Sequence, residues 1–202
     1  MSDRIDKATY NLYCNLPSQL LVQSVVNYFN SPLSGKFGQL FGSNVFSYRR
    51  DDTEERVLPS LNVYSLGFET TGDLAYLLGN LRLEFNLPVK LIRDRQTEAG
   101  VVIGESLFLL TRNPQWLMSI METVPALKEL GTRLSANYEP LYPHDKDSLM
   151  FFVTMNYKVD IACYFDYLND NGLDVSDPCK VADIVKVYYL DIPLQQPNSQ
   201  QN

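Results

Sequence analysis

The feature of this sequence that most constrains its fold is a long alternation of apolar and polar residues near the C-terminal end. Every odd-numbered position from Phe151 to Phe165 is apolar, while the even positions from Thr154 to Asp160 are polar. Successive side chains of a strand point to opposite faces, so this period predicts one strand with a buried face and a solvated face. At about 3.3 Å per residue it would be roughly 50 Å long, whereas a strand usually has about five or six residues.

A second segment has the same period and predicts another long strand. Every odd position from Leu81 to Leu91 is apolar, with polar residues or proline between them. Because Pro88 has no N–H to donate, we expect this strand to lie at a sheet edge or to be bulged there. Shorter extended segments are expected at 45–50, 57–66 and 184–192, and Pro59 places the second of these near an edge or its own start. The apolar segment 101–110 is ambiguous, but its beginning, Val101-Val102-Ile103, favours a strand.

Two helices are predicted from apolar residues at helical spacing. The first covers about 16–29, where Leu21, Val25 and Phe29 recur every four residues, and Asn15 can cap it. The second begins at Asn113-Pro114, because Asn is a favourable cap and Pro is favoured in the first turn. Its apolar positions are Trp116, Ile120, Val124 and Leu127. We expect Pro125 to kink or divide it and Gly131 to end it.

These elements predict an α+β protein with a single domain over residues 1–194. We expect a mostly antiparallel sheet with long strands, flanked by about two helices. The remaining residues, 195–202, are rich in Gln and Asn and are expected to form a disordered polar tail.

Charge and cysteine content exclude several classes of protein. The 202 residues include 17 Lys and Arg against 24 Asp and Glu, a net charge of −7, which excludes a generally basic surface that would neutralise phosphates. Three widely spaced cysteines (Cys14, Cys163 and Cys179) favour a reducing compartment over a disulfide framework. The uncharged stretch 8–35 is interrupted by Asn and Gln, so we expect no membrane span and a soluble protein that is cytoplasmic when made.

No familiar catalytic motif is present. The sequence has no phosphate-binding loop, dinucleotide fingerprint, zinc-protease helix or nucleophile elbow. Its one histidine, His144, lies beside Asp145 and Asp147, and a solvated loop is the plainer interpretation than a metal site. We expect Cys163 to be a small core side chain on the long strand rather than a reactive thiol.

The turn Asn169–Gly172 resembles part of a calcium-binding loop but fails the full pattern. That pattern would need carboxylates where the sequence has Tyr167 and Pro178. We therefore expect no catalytic residue, no bound metal and no cofactor. A pair of carboxylates acting as acid and base stays open, because Asp and Glu are plentiful.

Two features are unexplained in a monomeric binding module, namely the overlong strands and the absence of a recognisable site. A strand that outruns its own domain presents unpaired backbone groups to another chain, and we expect inter-subunit contacts at Pro88 and at Phe151, on a projecting end of the long strand. The segment 51–55 carries four carboxylates, and its plainer interpretation is a solubilising turn. These carboxylates are Asp51, Asp52, Glu54 and Glu55.

The order of these elements resembles the tail-terminator and tail-completion (neck) proteins of tailed bacteriophages. The resemblance rests on an N-terminal helix, a polar loop into the L-P-x-L-x-V-Y segment of 58–64, and the alternating strand 80–92. The helix after Asn113-Pro114 and the long closing strands complete it, so that it covers most of residues 16–192.

The resemblance implies a structural virion protein that is not an enzyme. Its subunits would form a homo-oligomeric ring, a hexamer, that caps the tail tube protein and contacts the neck or head-completion protein. DNA would pass through without specific binding, and the acidic cluster of 51–55 would face the lumen and repel phosphates. The protein would reside in the virion, in its tail or neck.

Other functions remain open on the sequence alone. Within the same biology they are a head–tail connector (stopper) and a tail-tube-like protein. From another class, a small phage-encoded metal-dependent hydrolase is the alternative. A symmetric ring without a pocket favours the structural function, whereas a monomer with clustered buried carboxylates favours the enzyme.

Overall fold

The computed structural model describes residues 12–48, 58–88, 96–143, 148–173, 176, 179 and 182. Several predicted features lie outside this part of the chain. These are the acidic cluster of 51–55, the His144 loop, the extended segment 184–192 and the tail 195–202.

The described residues form a five-stranded sheet with helices, and the predicted α+β class is confirmed. The strands are β1 (Val45–Phe46), β2 (Ser60–Thr70), β3 (Tyr76–Pro88), β4 (Arg133–Pro143) and β5 (Ser148–Asp160). Their order is β1-β2-β3-β5-β4, with β1 parallel to β2 and all other neighbours antiparallel. No strand was predicted at β4, which forms one side of the sheet.

Within the described residues, six α-helices have defined bounds, and a short 3-10 helix (Pro32–Ser34) lies between the first two. They are α1 (Pro17–Asn30), α2 (Gly35–Gln39), α3 (Gln96–Thr111), α4 (Pro114–Glu122), α5 (Ala126–Glu129) and α6 (Ile161–Asp170). Helix α1 packs against β2, β3 and α4, while α3 packs mainly against β4. The apolar face of the sheet therefore lies under these helices.

The core forms where the alternating strands meet α1. The odd-numbered residues from Leu81 to Phe85 and from Phe151 to Val159 are buried, as the two alternations predict. Phe85 also contacts three aromatic rings from α1 and the segment after it, with centroids 5.8–6.0 Å away. Burial of this apolar face is the main source of stability, at about 25 cal/mol per Å².

Helix α4 confirms the prediction from Asn113-Pro114. The Asn113 side chain accepts a hydrogen bond from the Gln115 backbone N–H at 3.0 Å, and Pro114 starts the helix. Pro125 separates α4 from α5, and Gly131 follows α5 with φ +58°. The predicted apolar stripe is buried throughout. Its members are Trp116, Ile120, Val124 and Leu127.

Helix α1 confirms its prediction apart from the cap. It begins after Leu16, and no side chain caps its N-terminus. Asn15 instead accepts hydrogen bonds from two tyrosines of α6. Its side-chain oxygen binds the Tyr167 hydroxyl, and its carbonyl binds the Tyr164 hydroxyl at 3.2 Å. The prediction that Asn15 caps α1 is wrong, because its side-chain oxygen accepts a hydrogen bond from Tyr167 of α6 instead of from a backbone N–H of α1.

The prediction of one strand over 151–165 is wrong beyond Asp160. Strand β5 ends there and α6 begins at once. The Asp160 carboxylate accepts hydrogen bonds from the backbone N–H groups of Ala162 and Cys163, at 2.9 and 3.1 Å. This cap starts a helix where the alternation alone would continue the strand. Cys163 is therefore a half-buried helix residue, not a core residue of a strand.

The preference for a strand over 101–110 is also wrong, since the segment lies within α3. Gly104, Leu107 and Thr111 are buried, which is helical spacing. Gly100 lies in the same helix. An apolar run without flanking signals does not distinguish a strand from a helix.

The expectations for Pro88 and Phe151 need correction. Strand β3 is central, between β2 and β5, and Pro88 is its exposed last residue, not a bulge or an edge. The pairing of β3 with β2 ends at Asn86. Pro88, which has no N–H, therefore removes no hydrogen bond between these two strands. Phe151 does not project past the core, because its side chain is completely buried.

Candidate functional site

The most conspicuous feature of the described surface is a set of three large, exposed apolar side chains on the β2–β3 hairpin. We call Leu66, Phe68 and Leu74 the hairpin patch. Their exposed fractions are 48%, 71% and 66%. Single exposed apolar side chains are common on protein surfaces, whereas three large ones on one hairpin are unusual. Such a group indicates a site of contact with another molecule.

A β-bulge shapes the β2 side of this hairpin. The pairing register with β3 shifts between Ser65 and Gly67, and Gly67 has φ +137°, which favours glycine. Such a bulge bends the strand and increases its twist. Beyond it Phe68 pairs with Gly79, in line with Tyr157 on β5. Phe68 thus lies on the sheet face that the helices cover elsewhere, at a point that they leave open.

The hairpin turn is held by a small network of hydrogen bonds. Leu74 N–H donates to the Thr71 carbonyl at 2.8 Å. The Asp73 carboxylate accepts from the Thr71 hydroxyl and from Ala75 N–H, at 2.5 and 3.1 Å. These bonds, the Thr71 bond first, hold the pKa of Asp73 below its ordinary value. The turn is therefore well defined although it is exposed.

Leu74 adopts a backbone conformation that leucine disfavours. Its φ is +56°, the left-handed region, which costs a residue with a Cβ about 1 kcal/mol. Glycine or asparagine is the usual occupant of such a position. The chain thus has an exposed leucine where a smaller or polar residue would be less strained.

Helix α3 carries the second apolar surface, which we call the α3 face. Its residues are Val101, Val102, Phe108 and Leu109, with exposed fractions between 42% and 69%. Their spacing places them on one broad side of the helix, which also carries the exposed Glu105 at its centre. At the end of this face the Arg112 guanidinium lies over the Phe108 ring, 5.2 Å from its centroid.

A groove of about 660 Å³ lies on the sheet, and Leu66 and Phe68 of the hairpin patch are among the residues that line it. Arg133 and Lys158 are register partners on β4 and β5, and both line it. Lys158 also lies 3.4 Å above the centre of the Tyr76 ring. Glu69 also lines the groove, so that it contains charged side chains of both signs.

A buried carboxylate lies further along the same sheet face. Glu84 accepts hydrogen bonds from the Asn62 amide at 3.0 Å, the Asn86 amide at 3.1 Å and the Tyr64 hydroxyl at 3.2 Å. Its exposed fraction is only 6%. These three neutral donors stabilise the carboxylate, and none of them is a second carboxylate of the kind that paired acid–base chemistry requires.

The described residues offer little for metal or thiol chemistry. Within these residues no group of three His, Cys, Asp or Glu side chains is placed to hold a metal ion. The pKa of the Cys163 thiol is raised, by desolvation first and then by the Asp160 carboxylate. A raised pKa lowers the thiolate fraction and with it the nucleophilicity of this cysteine.

The residues predicted from the sequence do not meet in one site. Pro88 is exposed at the end of β3, whereas Phe151 is buried in the core, where a neighbouring subunit cannot reach its side chain. The cluster of Asp51, Asp52, Glu54 and Glu55 lies outside the described residues.

No protein-family model matches the sequence, and the search of curated proteins found no significant match. Among the residues that the structure describes, every helix is too short or too polar to cross a membrane.

The two apolar surfaces were not predicted. The signal for the hairpin was the segment Thr71-Gly72-Asp73, a favourable turn composition between apolar residues. The signal for the α3 face was a pair of apolar residues repeated seven positions later. Neither signal indicates exposure, which depends on where the other helices pack.

Proposed function

We propose that this chain is a structural protein of a tailed-bacteriophage virion, a tail terminator or neck ring. In this proposal its subunits assemble into a hexameric ring that caps the tail tube. The ring joins the tube to the head-completion complex and lets DNA pass without specific binding. The chain is not an enzyme in this proposal, and it needs no cofactor.

The observation that carries the proposal is the presence of two separate exposed apolar surfaces, the hairpin patch and the α3 face. A monomer gains nothing from such surfaces, whereas a subunit of an assembly buries them against its neighbours. The fold supports the proposal further, since a single α+β domain with a long-stranded sheet agrees with what the resemblance implies. The metal-dependent hydrolase has less support, because the described carboxylates do not cluster.

Light scattering and electron microscopy of the purified chain test this proposal. We expect a mass several times 23.1 kDa and, in negative stain, rings with a central opening. Labelling of the chain in its parent particle should place it at the junction of tail and head. A chain that stays monomeric at high concentration, even with purified tail tubes added, would contradict the proposal.

A stopper or a tube-like protein would also form rings. Binding to isolated tail tubes distinguishes these functions, because a terminator should bind one end of a finished tube and stop its growth. A tube-like protein should instead continue the tube, and a stopper should bind the head-side complex without needing the tube.

A further inference from the structure

We infer that Asn171, which Gly172 follows, is a site of spontaneous deamidation that the C-terminal cap of α6 holds back. The reaction then proceeds only when this end of the helix opens. The site lies in the turn 169–172, whose calcium-binding pattern is incomplete. The inference is independent of the proposed function, because it rests on one dipeptide and on the hydrogen bonds around it.

The dipeptide Asn-Gly carries the most labile asparagine amide, and the sequence contains it once, at 171–172. The reason is steric, because Gly172 has no Cβ to shield its backbone nitrogen. This nitrogen attacks the side-chain carbonyl carbon of Asn171, so that a C–N bond forms and the bond to the side-chain nitrogen breaks. Ammonia leaves with the proton of the Gly172 N–H. Water then opens the cyclic imide at either carbonyl and yields aspartate or isoaspartate.

Both reacting groups are held by hydrogen bonds in the folded chain. The Gly172 N–H donates to the Asn169 carbonyl at 3.0 Å, and the Asn171 side-chain amide donates to the Tyr167 carbonyl at 2.8 Å. A bonded N–H meets solvent base only through local opening. The cyclic imide also needs the Gly172 nitrogen beside the Asn171 Cβ. With ψ at 6° that nitrogen instead nearly eclipses the Asn171 backbone nitrogen, so ring closure requires rotation about the Cα–C bond.

The same hydrogen bonds belong to a Schellman motif that ends α6. Gly172 has the left-handed φ of +65°, and the Leu173 N–H donates to the Leu168 carbonyl at 2.8 Å. Leu168 is buried, which anchors the motif on the core. Asn171 and Gly172 are themselves exposed, so water and base reach them as soon as the motif opens.

The product cannot rebuild this cap. A carboxylate at position 171 has no N–H for the Tyr167 carbonyl, and it places a negative charge at a helix C-terminus, where the macrodipole disfavours it. The last turn of α6 contains no basic residue that would offset this charge. Isoaspartate also adds a methylene to the backbone, which changes the spacing of the motif. Because the Tyr167 hydroxyl binds Asn15 just before α1, the modification should loosen the contact between α6 and the start of α1.

Rates of deamidation measured by peptide mass spectrometry in native buffer and in guanidinium chloride at the same pH test the inference. We expect the denatured chain to react fastest at Asn171. The folded chain should react there at least about tenfold more slowly, which corresponds to an opening free energy of about 1.4 kcal/mol. Gly172→Ala should slow the reaction in the denatured chain, because its methyl group shields the nitrogen. Equal rates at Asn171 in the folded and denatured chains would overturn the inference, as would a denatured chain in which other asparagines react as fast.

Variants at Leu173 test the role of the cap. We define the protection of Asn171 as its rate in denaturant divided by its rate in native buffer, which removes effects on the intrinsic chemistry. Leu173→Pro lacks the N–H that binds the Leu168 carbonyl and should lower the protection, whereas Leu173→Ala keeps this N–H and is the matched control. Asp160→Ala, which loosens the start of the same helix, should lower it as well. Unchanged protection in both Leu173→Pro and Asp160→Ala would show that the cap does not control the reaction.

The effect of the product is measured with Asn171→Asp. This change should lower the melting temperature by about 2–4 °C, the shift that loss of about one hydrogen bond produces in a chain of this size. Asn169→Asp makes the same change of charge at another exposed residue of α6, and it should lower the melting temperature less. An equal effect of the two substitutions would overturn the inferred loss of the cap.

Discussion

The ring of Tyr157 lies directly against the backbone of Gly79, its register partner on β3. A Cβ built on Gly79 would lie 2.1 Å from Tyr157 Cζ and 2.2 Å from its hydroxyl oxygen. The absence of a side chain at position 79 is thus what allows the tyrosine to fold across β3. This pair closes the core next to the hairpin patch.

Substitution of this glycine should destabilise the fold. Gly79→Ala forces the buried Tyr157 ring to move, and overpacking of this kind costs about 1–3 kcal/mol. Urea unfolding measures the loss. Gly72→Ala is the matched control, because no atom lies within 4 Å of a Cβ there. Adding Tyr157→Leu to Gly79→Ala should recover part of the loss, and equal losses with and without that change would contradict the clash.

Stability should fall in alkali because of the same tyrosine. Burial raises the pKa of Tyr157 to about 12, whereas the unfolded side chain titrates near 10. The folded state therefore holds its phenolic proton while the unfolded state loses it. This contribution is fully present below pH 10 and is lost as the pH rises towards 12, by about 3 kcal/mol. Burial also raises the pKa of Tyr164, with the same sign.

Urea midpoints measured between pH 8 and pH 12 test this dependence. Tyr157→Phe should have a shallower alkaline decline than the wild type, because it lacks the titrating hydroxyl. If the urea midpoint of Tyr157→Phe falls as steeply with pH as that of the wild type, groups other than Tyr157 cause the loss of stability.

The helix that interrupts the long alternation should depend on its cap. Asp160→Ala removes the carboxylate that binds the first N–H groups of α6, and loss of such a cap costs about 1 kcal/mol. Asp160→Asn retains a side-chain oxygen and should restore most of the stability. Thermal unfolding followed by circular dichroism compares the three proteins. An Asp160→Asn protein as unstable as Asp160→Ala would show that the cap is not the cause.

Phe151 should act as a core residue rather than as a contact between subunits. Its side chain is completely buried, so Phe151→Ala should cost about 3–5 kcal/mol. Unfolding measurements at low protein concentration, where association is weak, isolate this effect. A large loss of association with unchanged unfolding would instead restore Phe151 as an inter-subunit contact.

The acidic cluster can be tested although it lies outside the described residues. If Asp51, Asp52, Glu54 and Glu55 face a DNA passage, reversing all four to Lys should create salt-sensitive DNA binding, because each phosphate contact releases counterions. The control reverses the exposed residues Glu122, Glu129, Asp166 and Asp170, which changes the net charge equally. Equal DNA binding by both variants, measured by fluorescence anisotropy, would mean that the cluster has no special position.

The sequence by itself determined the elements whose signals are local. Helices α1 and α4 follow from apolar residues at helical spacing, and α4 also from its Asn113-Pro114 start. The buried faces of β3 and β5 follow from strict alternation. Period and capping act between near neighbours in the chain, so they can be recognised without knowledge of the rest of the fold.

Tertiary structure decided the rest, because several segments satisfy two local patterns at once. Residues 161–165 continue the alternation, yet they fold as a helix once Asp160 caps it. Residues 101–110 are apolar enough for a strand, but α3 forms and packs on β4. The exposure of Leu74 and of the α3 face depends on which surfaces the other helices cover. This exposure is a property of the packed molecule, and no pattern among neighbouring residues in the sequence indicates it.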